Sequence, residues 1–199
     1  MTMNIFILDE NPKIAAEYHC DKHVVKMILE SAQMLSTTHW LLSLQLFNKE
    51  MSDFKRVRDA KEFLDLNLKE NSKPPYKMTH VRHPCTIWTT ESIENYNWHV
   101  KLLFYLCKEY TERYGRIHKT AQYIKWFINN RPYNIPKTRM TPFKICMADE
   151  YKISTNPVDC YKEYYIKDKS RFAKWKLGNE PQWYLNGLST TCKLNKNKI

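Results

Sequence analysis

Only three glycines occur in 199 residues. Tight hairpins, phosphate-cradling loops and dinucleotide-binding turns need glycine, so a β-sandwich, a P-loop and a Rossmann domain are disfavoured. Cys20, Cys85, Cys107, Cys146, Cys160 and Cys192 are scattered, with no Cys-x-x-Cys pair. That usage fits a reduced, cytoplasmic protein (host cytoplasm, if viral) better than a disulfide scaffold. There is no long uncharged apolar run, so no membrane partner is expected. The start, MTMNIFILDENP, turns acidic early, unlike a secretory signal. No internal repeat is visible.

What is present is apolar residues at helical spacing between proline-marked breaks. With 43% hydrophobic residues a core can form. The expected fold is mainly α: a compact single-domain helical bundle with a short extended N-terminal segment. Residues 1–176 make the domain, 48–71 a charged helical insertion, and 177–199 a polar, frayed tail. The formal net charge is +11, from 32 Lys+Arg against 21 Asp+Glu. Such an excess suits a polyanionic partner, DNA first.

In chain order, NIFIL (4–8) reads as a buried extended start. Asn11-Pro12 caps a short helix, Lys13–Tyr18. A long helix follows, with an indistinct end around Trp40–Phe47. His83-Pro84 opens a run of helical spacing from Thr86 to Tyr114, stopped by Gly115. Further helices are expected over Ile117–Asn129, Phe143–Tyr151 and from Asn156-Pro157 to Asp168.

The long helix carries the chemistry. At 100° per residue, Val24, Val25, Ile28, Ala32 and Leu35 form a core stripe. His19, His23, Lys26, Glu30, Gln33 and Thr37 gather on the other side, a line of groups that titrate, donate or accept. Asp21 or Glu30, beside Lys22, His23 and Lys26, suits a positioned acid or base. Equally, Asp21 fits an N-cap and Lys26/Glu30 a surface i,i+4 pair.

His80-x-x-His83, with His19 and His23, has zinc-compatible spacing. Spacing alone does not carry a metal site, and no metal or cofactor is expected. Hydrogen bonding of these histidines to a phosphate or base fits better, with Thr79 and Arg82 beside them. Basic residues alternate with aromatics in two further stretches. One holds Arg113, Tyr114, Arg116, His118 and Lys119, the other Arg171, Phe172, Lys174, Trp175 and Lys176. Cations neutralise phosphates and rings stack on bases, so these are nucleic-acid-binding candidates. Asp149-Glu150 is a paired carboxylate of lesser promise.

The pieces NIFILDENPKIAA, YHCDKHVVKMILESAQML, THVRHPCTIW, NYNW, EYTERYGRIHKT, TPFKICMADEY and YYIKDKSRFAKW resemble a family of small phage and bacterial proteins, a resemblance that implies no activity by itself. The order of an acidic–basic helix, a basic segment ending in His-Pro, and a long aromatic helix closing on Arg-Tyr-Gly is similar to the pyrimidine-dimer DNA glycosylase (endonuclease V-type) group. That resemblance implies a small, basic, helical fold that flips a nucleotide out of the duplex. It implies attack on the sugar C1′ by the processed N-terminal amine, here Thr2 after loss of Met1. The central-helix carboxylate would be Asp21 or Glu30, with Lys22, His23 and Lys26 on phosphates. Lys22 or Lys26 could replace the amine if desolvated.

The expected function is therefore a DNA glycosylase/lyase-like enzyme acting on a nucleobase or its N-glycosidic bond. A base-modifying transferase of a viral modification pathway fits the same features, as does a non-enzymatic DNA-binding accessory protein. The N-terminal imidazoles and carboxylates are expected to converge with the His-Pro segment on one electropositive hollow.

Overall fold

The computed structural model describes residues 4–196, and the protein is mainly α-helical, with no β-strand among the described residues. Asn11 accepts a hydrogen bond from the Lys13 backbone N–H and Pro12 occupies the first turn, starting α1 (Pro12–Tyr18) as the sequence predicts. The central helix α2 runs Asp21–Gln45, a rod about 37 Å long. It packs on α5 (Ile93–Tyr114) and α4 (Pro84–Glu91) through its apolar side chains, and α1 packs on α5. Val24, Met27, Ile28, Met34 and Leu35 of α2 share one core with Leu102, Leu103 and Leu106 of α5. Val25, expected in that core, is 41% exposed, and Leu29 beside it is 40% exposed. The buried sector of α2 is therefore rotated toward Met27 and Ser31.

The expected run from Thr86 to Tyr114 is two helices. Ser92 is extended, and its hydroxyl accepts from the Asn95 N–H, ending α4 and capping α5 in one residue. Gly115 ends α5 in the left-handed region at φ +65°, with its N–H on the Thr111 carbonyl. Residues 119–123 form a tight turn leading into α6 (Ile124–Asn129). The insertion carries α3 (Val57–Asn67), whose Ala60 and Leu64 form a second small core with Trp40, Leu44, Met78 and Val81.

Residues 143–148, expected helical, have no helix: their polar atoms go to other elements, the Cys146 N–H to the Tyr161 hydroxyl and its carbonyl to the Asn4 amide. Helix α7 (Pro157–Tyr164) starts on an Asn156 cap and continues as one π-helical turn, Tyr165–Lys169. The expected frayed tail is largely helix α8 (Gln182–Lys196). It docks because Trp183 meets the rings of Tyr18 and Tyr165, while Tyr184 meets Trp175. Gly187 lets it approach: a Cβ there would stand 2.3 Å from Ile166 Cδ1.

Arg113 joins three helices. Its side chain is fully buried and donates to the Glu109 carboxylate at 2.8 and 3.1 Å, the Asp21 carboxylate at 3.1 Å, and the carbonyls of His19 and Glu17 at 2.8 and 3.0 Å. Breaking such a cluster from one side strands its partners. Arg113→Ala is expected to destabilise the fold by about 3–5 kcal/mol. Urea unfolding measures this, with the exposed Arg116→Ala as the control that leaves the midpoint unchanged. A midpoint equal to wild type in Arg113→Ala would contradict the joint.

Candidate active site

Three buried segments meet beside the first turns of α2 and leave a cavity of about 220 Å³. The extended start supplies Asn4 and Phe6, α2 supplies His23 and Lys26, and the end of α7 with its π-turn supplies Tyr164, Asp168, Lys169 and Arg171. The cavity is smaller than the roughly 300–1,000 Å³ typical of drug-sized ligands, so it suits one base- or phosphate-sized group.

The floor is aromatic. Phe6 stacks on His23 with ring centroids 4.2 Å apart and lies nearly parallel to Tyr164 at 6.1 Å. Phe6 adopts φ +48°, a left-handed conformation that costs a non-glycine residue about 1–3 kcal/mol. The neighbours hold it: four rings besides His23 pack on it. His23 is buried, and the Tyr165 hydroxyl engages its Nδ1. Its Nε2 has no hydrogen-bond partner in the protein and is closed to solvent. Desolvation, reinforced by His19, Lys169 and Lys26, pushes the imidazole down to about 2, so His23 is neutral at ordinary pH.

The walls are charged. Lys26 pairs with one Glu30 oxygen at 2.9 Å, and the other accepts from the Asn4 N–H at 3.3 Å. Glu30 thus stands one layer behind the lining and orients Lys26. Lys169 is almost fully buried, paired with Asp168 at 2.6 Å, donating to the Tyr164 hydroxyl at 2.8 Å and lying over that ring. Asp168 is the carboxylate that lines the cavity, with Arg171 3.8 Å away. The arrangement presents two ammonium groups, a guanidinium, a carboxylate and a neutral imidazole to one small volume.

A basic rim surrounds the start of α2. Lys22 and Arg171 both lie over the Phe172 ring, at 4.9 and 5.2 Å. The Lys174 carbonyl accepts from the Asp21 N–H at 2.8 Å, which brings Lys174 and Lys176 alongside. Lys176 lies over Tyr114, and Arg116 over Tyr110, whose ring also meets His118. Lys119 is exposed beside them.

Several candidate residues occupy other places. His19 is fully buried with Nδ1 on the Ala15 carbonyl, Arg113 is the internal joint, and Trp175 is packed against Tyr184; none of the three reaches a phosphate or base. Asp21 serves Arg113 and does not line the cavity. Thr2 lies outside the described residues. Thr79, His80, Arg82 and His83 sit away from His23: His80, Arg82 and His83 line a different depression, against Lys55 and Arg56 of the insertion. Thr79 is tied to Thr37, fourteen residues along α2 from His23, about 21 Å of helix rise. The expected convergence on one hollow therefore does not occur: His23 and Lys26 of the stripe line the cavity, whereas the His-Pro segment lines the other depression. His118 caps the turn that follows it, accepting from the Thr120 N–H. Asp149 is exposed and paired with Lys152. Lys169, Asp168 and Asn4 were not singled out by sequence reasoning; a Lys-Asp-Lys triplet carries no spacing signal until the π-turn aims it inward. Among the described residues, His83, Cys85 and Cys146 converge closely enough to hold a metal ion.

Comparison with protein-family models, curated proteins and solved structures finds no match.

The buried imidazoles predict an acid limit. Burial pushes His19, His23, His39 and His99 down to about 4, 2, 3 and 3. Unfolded histidines take up protons near pH 6.5. Their contribution to stability is complete above that pH and is lost as pH falls toward the folded values, by about 1.4 kcal/mol per pH unit for each histidine. Urea unfolding near pH 7.5 and about pH 5.5 reads this as a large drop in midpoint. Equal midpoints would contradict buried, neutral imidazoles.

Proposed function

We propose that this protein is a DNA-directed enzyme that takes one extrahelical nucleotide and acts on its base or N-glycosidic bond. The observation that carries the reading is the pairing of a basic, aromatic rim with a single small cavity holding the Asp168 carboxylate, the His23 imidazole and the Lys26 and Lys169 ammonium groups. Cations on the rim neutralise phosphates, and rings accept an unstacked base. An enzyme reaches a buried glycosidic bond only by extruding the nucleotide.

In this reading Phe6 and Tyr164 receive the base by stacking. Lys26, Lys169 and Arg171 hold anionic oxygens. Asp168 faces the sugar, where a carboxylate stabilises positive charge developing at C1′ as the bond breaks. His23 backs the aromatic floor through its stack on Phe6. Glu30 is a positioning residue acting through Lys26. The similarity to the pyrimidine-dimer DNA glycosylase group points the same way, with Asp168 rather than Asp21 in the cavity. The α-amine of Thr2 remains the proposed nucleophile of a lyase step. A transferase reading uses the same groups on the base.

Duplexes carrying damaged or modified bases, followed by nucleoside mass spectrometry and borohydride trapping, test the proposal. Base release, a trapped adduct or a new nucleoside supports it. None of the three across such substrates would sink it. Asp168→Asn is expected to slow the reaction by about 10²–10³-fold, with the stability lost by unpairing the buried Lys169 read separately by urea unfolding. Glu30→Gln should slow it less, because Lys26 keeps its charge and loses only the partner that orients it. Lys22→Ala and Arg171→Ala should weaken binding across sequences and each lower the salt slope by about 1. An unchanged slope in both variants would remove the rim from the interface.

A further inference from the structure

The geometry points to a second site, distinct from the cavity and adjoining it through Asn4: a zinc-class transition-metal centre formed by His83, Cys85 and Cys146. Their ligating atoms all lie within 4.8 Å of one another, and the two sulfurs are 3.5 Å apart. A tetrahedral ion with bonds of about 2.3 Å to sulfur sets its sulfurs about 3.8 Å apart. The thiol pair is within about 0.3 Å of that spacing, and an imidazole nitrogen of His83 lies within 4.8 Å of both sulfurs.

The backbone around each ligand is fixed before any ion arrives. Cys85 is in the first turn of α4, and its N–H meets His83 Nδ1 at 3.2 Å, so the ring already faces the start of the helix. Cys146 has its N–H on the Tyr161 hydroxyl at 3.2 Å and its carbonyl on the Asn4 amide at 2.7 Å. Asn4 Oδ1 stands 3.9 Å from the Cys85 sulfur and accepts from the Tyr161 hydroxyl, an outer layer of polar groups around the thiols. Residues held this way need little reorganisation to bind.

The donor set names the ion. Two thiolates and an imidazole are soft to borderline ligands that select zinc over magnesium or calcium. Three protein ligands leave a fourth tetrahedral position for water or an incoming ligand. Cys146 and His83 are half-buried, which gives an entry path, and Cys85 is buried. Binding releases the thiol protons and ties the His-Pro segment to residues 143–148 and, through Asn4, to the N-terminal run.

The test is cobalt titration of the reduced full-length chain without oxygen. One equivalent is expected to give a thiolate-to-cobalt charge-transfer band and tetrahedral visible bands, both bleached by zinc. Cys146→Ser and His83→Gln, both at partly exposed positions, should lose or strongly weaken the charge-transfer band, while Cys107→Ser keeps it. Zinc should raise the melting temperature of wild type and leave that of Cys146→Ser unmoved. Absence of the band in a folded wild type would overturn the site, as would its persistence in Cys146→Ser. So would a chain that takes no cobalt but forms a Cys85–Cys146 disulfide on mild oxidation, which would make the pair a redox couple.

Discussion

The buried amide of Asn4 is the contact on which the functional half of the molecule depends. Asn4 is 2% exposed, and its groups reach four elements at once. Its N–H goes to Glu30 of α2, its Nδ2 to the Cys146 carbonyl, and its Oδ1 accepts from Tyr161 of α7 while facing the Cys85 thiol of α4. Each such hydrogen bond adds only about 0.5–1.5 kcal/mol net, but leaving its partners buried and unpaired costs more. Ile5, Phe6, Ile7 and Leu8 follow Asn4 straight into the core. Phe6 turns left-handed in that confined path and becomes the cavity floor. The cavity and the thiol cluster are the two sides of this one residue.

Charge in this protein divides by depth. Arg113 uses its guanidinium on internal partners and leaves nothing for a ligand. Lys26, half-way out, pairs with the buried Glu30 and borders open volume. Lys22, Lys174, Lys176 and Arg116 are exposed, and the first, third and fourth each lie near a ring. The excess of +11 is thus not spread evenly in kind: internal cations build the fold, and outer ones are available to a polyanion.

Local rules made much of the fold legible. Asn-Pro pairs at 11–12 and 156–157 and Gly115 mark helix ends by chemistry that needs no tertiary context. The spacing of His23, Lys26 and Glu30 placed them on one side of one helix. Spacing could not reveal depth, so His19, Arg113 and Trp175 read as contacts although the core encloses them. Nor could it reveal the α4–α5 break, where one serine both ends and caps, or α8, whose polar sequence is ordered by Trp183, Tyr184 and Gly187. The Asp168–Lys169 pair depends on a π-turn, and the thiol cluster joins residues sixty-one positions apart. Both are products of packing, which a periodicity cannot encode.

The central claim is that the base of one extruded nucleotide enters the cavity over the aromatic floor of Phe6 and Tyr164. A crystal structure of the protein with a short duplex carrying a damaged base on a cleavage-resistant 2′-fluorinated sugar tests it most directly. The account predicts an extrahelical nucleotide seated there, its sugar facing Asp168 and its phosphates against Lys22, Lys26 or Arg171. A duplex bound elsewhere, with no nucleotide extruded into that volume, would contradict it.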